Sequence, residues 1–120
     1  MKKKTLERLI IRRKDWYRGK GGDRSVLLSG RGKMCCLGFL GLACGYTKKE
    51  ILGVQTPACA SRRIDAKAKW PSLLLNKEGG DSIFGDDLMR MNDNREIKDS
   101  VREAELKELF KEINYEVVFK

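Results

Sequence analysis

Four cysteines are the side chains in this sequence most able to do chemistry, and three of them lie close together: Cys35, Cys36 and Cys44, followed by Cys59. Cysteine thiolates can hold a structural zinc ion, whose ligands typically come in pairs two to four residues apart. Here the successive spacings are one, eight and fifteen residues. Adjacent cysteines on a helix also point about 100° apart, so this spacing disfavours a zinc site.

The sequence contains no histidine, and this limits the chemistry that the thiols can do. A nucleophilic cysteine usually needs a paired histidine that stabilises the thiolate and moves protons. Disulfides rarely persist in a reducing cytosol, and a chain of 120 residues can bury a core without them. Because free cysteine is among the most buried residue types, we predict that Cys35, Cys36 and Cys44 pack in the core. Cys59, in an irregular segment, is expected to be reactive, and no metal ion or other cofactor is expected.

Acidic residues offer a second kind of site. Three segments match the acid-x-lysine half of a common nuclease site: "DAK" at 65–67, "EIK" at 96–98 and "ELK" at 105–107. Three matches are close to the number that this composition produces by chance. Paired acidic and amide residues could also hold a hard cation, although such pairs more often cap helices and form turns. A metal-dependent nuclease is therefore an alternative function, with a lysine and the candidate carboxylates Asp65, Asp86, Asp87 and Asp93.

The positive charge is confined to the first quarter of the sequence. Residues 1–33 hold twelve Lys or Arg and three acids, whereas residues 34–120 hold fourteen of each, so the whole formal charge of +9 lies in residues 1–33. A field this one-sided attracts polyanions and weakens with salt, although it could also be a basic face without a ligand. We predict an anion-binding or nucleic-acid-binding region formed by Lys4, Arg8, Arg12, Arg13, Arg18, Lys20, Arg24, Arg31 and Lys33.

Hydrophobic spacing indicates the elements that position these basic residues. In chain order it predicts a helix over 5–18, a short strand over 24–28 and a glycine-rich turn over 29–33. The helix would place Lys4, Arg8 and Arg12 in one exposed row, because residues four apart lie on the same helical face. Residues 1–33 are thus expected to form a basic helix-hairpin region.

The rest of the sequence predicts helices separated by irregular segments. The Cys-rich stretch indicates a buried helix over about 34–45, in which glycines are tolerated where another chain segment packs closely. Further signals predict a capping box at 47–50, a helix near 84–91, and a helix capped by Ser100 and Glu103 with an apolar stripe of Leu106, Leu109, Phe110 and Ile113. They also predict a left-handed Asn114 and a strand over 115–119. The elements predict a single compact α+β domain over 1–120, whose strands 24–28 and 115–119 form a small antiparallel sheet packed with helices.

The sequence gives no sign of insertion into a membrane. No apolar run approaches the roughly 18–20 residues that a spanning helix needs. The basic N-terminus lacks the apolar segment and the small-residue cleavage site of a secretory signal. We therefore expect a cytoplasmic protein.

Three stretches of the sequence resemble a set of small phage and prophage proteins: "WYRGKG" at 16–21, "LLSGRGKMCCLGFLGLACGY" at 27–46 and "LMRMNDN" at 88–94. Members of this set are similar in having a Trp-led helix, a basic turn, a Cys-Cys-Leu-Gly helix and a Met-Asn-Asp segment. The resemblance covers most of residues 16–113, and its specific motif is "CCLG" at 35–38. It implies an accessory protein that acts in a bacterial host. Genes of this class often encode inhibitors of host defence, such as anti-CRISPR proteins, or sponges for immune signalling nucleotides.

Charge and resemblance together predict a non-catalytic binding protein that recognises an anionic target through residues 1–33. That target would be a nucleic acid, a nucleic acid–protein complex or a nucleotide messenger, because phosphates attract a basic surface. A protein-only interaction module is the alternative from another class. It would dock on an acidic surface of a partner such as a host defence protein. The sequence does not decide between the two, and it indicates no oligomeric state.

Overall fold

The computed structural model describes residues 6–18, 26–63 and 68–120. Among these residues, strand β1 comes first and strand β2 last, at Glu7–Ile11 and Tyr115–Phe119. Two short 3-10 turns lie at Arg13–Asp15 and Ser72–Leu74. The helices of the described part are α1 (Cys36–Ala43), α2 (Lys48–Ile51), α3 (Pro57–Arg63), α4 (Ile83–Asp93) and α5 (Asp99–Lys111). The Cα radius of gyration, 13.6 Å, is that of one compact domain.

The two strands of the described sheet run parallel. The prediction of an antiparallel sheet is therefore wrong in strand orientation. It is also wrong in the partner of β2, which is β1 and not the predicted strand 24–28. Leu28 makes only an isolated bridge, with Leu52, and residues 24 and 25 lie outside the described residues. Five helices separate β1 from β2 in the described sequence, and parallel strands need such a long crossover connection.

Strand β1 replaces the helix predicted over 5–18, which is wrong. Leu9 and Ile11 are buried, whereas Arg8 and Ile10 are exposed, so burial alternates with a period of two. The apolar residues of this segment are too few to distinguish a helical from a strand period, and pairing with β2 decides between them. The expected helical row of basic residues therefore does not form.

Helix α1 is buried in the core, as predicted. Its residues from Cys36 to Gly41 are all buried. The predicted close packing against its glycines is confirmed at two positions. A Cβ atom on Gly38 would lie 1.8 Å from the carbonyl oxygen of Leu27, and one on Gly41 would lie 2.9 Å from the ring of Trp70. Glycine is therefore needed at both positions for steric reasons.

Helices α2 and α4 begin with side-chain caps. The predicted capping box of α2 is confirmed, because Thr47 Oγ1 accepts from Glu50 N–H (3.2 Å) and Glu50 Oε1 accepts from Thr47 N–H (2.8 Å). The helix predicted near 84–91 is confirmed as α4. Its N-cap is Ser82, whose Oγ accepts from Gly85 N–H (2.9 Å).

Helix α5 leads directly into β2. The predicted cap at Ser100 is wrong, because α5 begins one residue earlier, at Asp99, and no side-chain cap precedes it. The predicted apolar stripe is largely confirmed, with Leu106, Phe110 and Ile113 buried and Leu109 half-buried. Asn114 has φ 67°, the predicted left-handed conformation. Within the described residues, no helix has both the length and the apolar character needed to cross a lipid bilayer.

One polar side chain, that of Asn92, joins three parts of the core. This residue of α4 has no exposed surface. Its Oδ1 accepts from the indole N–H of Trp16 (2.7 Å) and from the backbone N–H of Cys36 (3.0 Å), the first residue of α1. Its Nδ2 donates to the carbonyl oxygen of Tyr17 (2.9 Å). Asn92 thus fixes the N-terminal segment against α1 and α4.

Candidate anion-binding surface

The exposed face of the sheet carries side chains in opposed pairs. Strand register and the flanking hydrogen bonds pair Arg8 with Glu116, Ile10 with Val118, and Arg12 with Lys120. The opposite face buries its side chains in the core: Leu9, Ile11, Tyr115, Val117 and Phe119. Along the exposed face, an apolar pair therefore lies between a mixed-charge pair and a doubly basic pair. We call this the outer face.

The doubly basic end of the outer face opens into a cleft. The described residues that line this cleft are Arg12, Lys14 and Lys120, and its volume is about 500 Å³. Two backbone hydrogen bonds hold Lys120 opposite Arg12, because Lys120 N–H donates to Ile11 C=O (2.9 Å) and Lys120 C=O accepts from Arg13 N–H (2.6 Å). We call these three side chains and the space between them the basic cleft.

The glycine-rich turn predicted at 29–33 is confirmed, and it carries two exposed cations, Arg31 and Lys33. Ser29 closes it, because its backbone N–H donates to Lys33 C=O (2.7 Å) and its Oγ accepts from Lys33 N–H (3.1 Å). The residue that follows the turn, Met34, donates its N–H to the carbonyl oxygen of Asp15 (2.8 Å). This bond brings the turn beside the 3-10 turn that contains Lys14.

Two of the predicted anion-binding arginines are engaged with α5. Arg13 forms a two-point ion pair with Glu103 (2.7 and 2.8 Å), and this hydrogen bonding raises the pKa of the Arg13 guanidinium. Arg18 pairs with Asp99 (2.7 Å), which also pairs with the buried Arg102. The acids of α5 therefore offset much of the charge that these two arginines would offer a ligand.

The predicted basic residues thus divide into three groups. Arg8 and Arg12 lie on the outer face, Arg31 and Lys33 lie on the neighbouring turn, and Arg13 and Arg18 are ion-paired. The remaining three lie outside the described residues: Lys4, Lys20 and Arg24. Their contribution to the surface stays a prediction.

Sequence reasoning missed two of the three residues that line the basic cleft, Lys14 and Lys120. Lys14 belongs to the basic N-terminal stretch and could have been included on charge alone. Lys120 follows β2, 106 positions later in the sequence, and nothing near it indicates a site. Only the parallel pairing of β1 with β2 brings Lys120 opposite Arg12.

The cysteines belong mainly to the core, as predicted. Cys35 and Cys36 are buried, and Cys44 is half-buried against the core with its Sγ 3.9 Å from the Tyr115 hydroxyl. Burial raises the pKa of the Cys35 thiol to about 12 and that of the Cys36 thiol well above its usual value. Cys59 is exposed. Proton loss from the buried thiols is therefore unfavourable.

The acidic residues of the nuclease alternative do not assemble into a metal site within the described chain. In 6–18, 26–63 and 68–120, no group of three or more His, Cys, Asp or Glu side chains is close enough to hold an ion. Asp86, Asp87 and Asp93 all lie on α4. Asp65 falls outside the described residues.

Comparison with known proteins supplies no relative on which to base a function. No family model, curated protein sequence or solved structure matches this chain. The functional conclusion therefore depends on the surface described above.

Proposed function

We propose that this protein is a small non-catalytic binding protein that holds an anionic target on the outer face of its sheet. The observation that supports this most directly is the basic cleft, whose described lining residues, Arg12, Lys14 and Lys120, are all cationic. Like charges that share a cleft repel one another, and a bound anion relieves that repulsion. Arg31 and Lys33 extend the positive surface from the adjacent turn.

The charge of this surface predicts how binding depends on salt. Affinity for duplex nucleic acid falls steeply with salt because each neutralised phosphate releases counterions. For three phosphate contacts, one for each cation of the basic cleft, affinity should fall about 40-fold between about 50 and 200 mM salt.

The resemblance to small phage and prophage proteins favours a particular biological role. A counter-defence inhibitor, such as one of the anti-CRISPR type, would use this surface to occupy a nucleic acid, an effector complex or a nucleotide messenger of the host. This protein would then compete with the host's own ligand for that target. This role is part of the proposal and depends on the same basic surface.

Charge reversal tests the proposal. Labelled DNA and RNA duplexes are titrated with the wild type, with an Arg12→Glu/Lys120→Glu variant and with a Lys48→Glu/Lys49→Glu control. The control changes the net charge equally on the exposed surface of α2, outside the basic cleft. We expect the cleft variant to bind about tenfold or more weakly than the control. Equal affinity of both variants, or binding that ignores salt, would refute the proposal.

The same samples test the non-catalytic part of the proposal. Incubation with Mg²⁺ should leave the labelled duplexes intact. Cleavage that requires Mg²⁺ and is lost in an Asp87→Ala variant would instead establish a nuclease.

A further inference from the structure

Among the described residues, the backbone of β1 is hydrogen-bonded to another segment along one edge only. Glu7 N–H donates to Asn114 C=O (3.0 Å), and Ile11 C=O accepts from Lys120 N–H (2.9 Å), so the odd-numbered residues of β1 face β2. In a parallel pair, residues that alternate with these direct their N–H and C=O groups away from the partner strand. In β1 the alternate, even-numbered residues are Arg8 and Ile10. Within the described chain, no hydrogen bond joins their backbone groups to another segment.

The two residues that form this open edge lie at the surface. Buried backbone N–H and C=O groups are nearly always paired, so unpaired groups are expected at the surface. Arg8 is exposed, and Ile10 is 39% exposed although it is a large apolar residue. Parallel sheets usually have both faces covered, and two strands alone make a marginal sheet. Within the described chain, β1 therefore has the character of a strand that lacks a second neighbour.

We propose that the open edge of β1 accepts an extended segment of another protein as a third strand. Acidic side chains of that segment would lie beside Arg8 and Arg12, and an aliphatic side chain would lie beside Ile10. Same-face side chains repeat every second residue along a strand, so the segment has the pattern acid-x-aliphatic-x-acid. The pattern reads identically in both directions. This inference rests on the proposed function, because it assigns a partner class to the same basic surface.

The chemistry of the edge favours a protein segment over a nucleic acid. Main-chain N–H and C=O groups in a row recognise another polypeptide strand, and the alternating side chains supply specificity. Single-stranded nucleic acids are held largely by stacking on exposed aromatic rings. All nine aromatic residues lie in the described chain and none is exposed; Tyr17 and Phe84 are half-buried and the others are buried.

A second copy of this chain does not suit the edge. Antiparallel pairing of two β1 strands about Ile10 would place Arg8 of each copy opposite Arg12 of the other. Like charges that are directly opposed across strands are destabilising. An acidic partner segment has the complementary charge.

The central experiment removes one outward N–H from the edge. A fluorescein-labelled peptide with the sequence pattern Glu-x-Val-x-Glu is titrated with Ile10→Pro and Ile10→Ala variants. Both substitutions remove the isoleucine side chain, but only proline removes the N–H, which faces away from β2. Proline is tolerated on an edge strand in this orientation. We expect Ile10→Pro to bind the peptide about tenfold more weakly than Ile10→Ala.

A second measurement leaves the protein unchanged, in case proline disturbs the fold. Two peptides are prepared with backbone N-methyl groups on odd or on even residues. Only one set of peptide N–H groups faces β1, so one peptide should lose most of its affinity and the other should retain it. A Lys-x-Val-x-Lys peptide should fail to bind.

Several outcomes would overturn the inference. These are equal binding by the two Ile10 variants, equal binding by the two methylated peptides, and absence of binding by the acidic peptide. If the peptide fails while duplex binding remains salt-dependent and sensitive to Arg12→Glu/Lys120→Glu, the third-strand inference is wrong and the proposed function stands. If both ligands ignore that charge reversal, the proposed function fails too.

Discussion

Replacement of Asn92 by alanine should destabilise the protein more than its modest size suggests. The side chain satisfies two buried donors, the indole N–H of Trp16 and the backbone N–H of Cys36, and one acceptor, the carbonyl oxygen of Tyr17. Alanine can replace none of these bonds. Trp16 is 3% exposed and Cys36 is completely buried, so water cannot readily take the place of the lost amide.

The magnitude follows from the groups left unpaired. A buried polar group without a partner costs about 1–3 kcal/mol, so the two buried donors alone cost about 2–6 kcal/mol. The stability of a domain is typically about 5–15 kcal/mol, so Asn92→Ala should remove a large fraction of it. We expect a loss of about 4 kcal/mol in the free energy of unfolding.

Urea unfolding followed by far-ultraviolet circular dichroism measures this loss, and this signal does not depend on the environment of Trp16. The matched control is Asn94→Ala, two residues away, where the side chain accepts one exposed hydrogen bond from Glu96 N–H (2.9 Å). That control should lose about 1 kcal/mol or less. A loss for Asn92→Ala no larger than the control's would show that the Asn92 hydrogen bonds do not hold α1, α4 and the N-terminal segment together.

Three further predictions concern α1 and the four cysteines. Gly38→Ala should lower the free energy of unfolding by about 2 kcal/mol or more, because the added Cβ would overlap the Leu27 carbonyl. The control Gly30→Ala should change it by less than about 0.5 kcal/mol, because no atom lies within 4 Å of the added Cβ, and equal urea midpoints for the two variants would contradict this packing. Native protein treated with a thiol reagent should be labelled quickly at Cys59 alone, and the other three cysteines should react only on unfolding: Cys35, Cys36 and Cys44. Elemental analysis that finds one zinc per chain would show that the cysteines are metal ligands and not core residues. Between the ordinary thiol pKa of 9.0 and about 12, the free energy of unfolding should decline as pH rises, because the unfolded chain loses thiol protons that folded Cys35 and Cys36 retain. Cys35→Ala should make this decline less steep, since Cys36 still contributes to it, and urea midpoints that stay constant up to about pH 10.5 would refute the prediction.

Local signals in the sequence were sufficient for most of the helices and for β2. The capping box of Thr47 and Glu50, the apolar stripe of α5 and the turn at Asn114 involve residues within a few positions of one another, so their energetics can be read from short segments. The glycines of α1 were also interpretable, because a glycine-rich buried helix requires a close neighbour. The sequence did not show that this neighbour is the Leu27 carbonyl.

Composition determined other features without reference to the fold. The absence of histidine excludes histidine-based catalysis, and the excess of positive charge belongs to residues 1–33 wherever they fold. The burial of Cys35 and Cys36 followed from the apolar residues around them. These conclusions need only residue types and their positions along the chain.

Only the tertiary structure decided which cations form a surface. Parallel pairing of the first and last strands brings Lys120 opposite Arg12, while Glu103 and Asp99 of α5 engage Arg13 and Arg18. These partners are 81 to 108 positions apart, and contacts over such separations depend on how all the intervening elements pack. The short apolar run of β1 fits a helix or a strand equally well until β2 supplies its hydrogen bonds. The sequence therefore determined where the charge lies along the chain, and the fold determined which part of that charge a partner can reach.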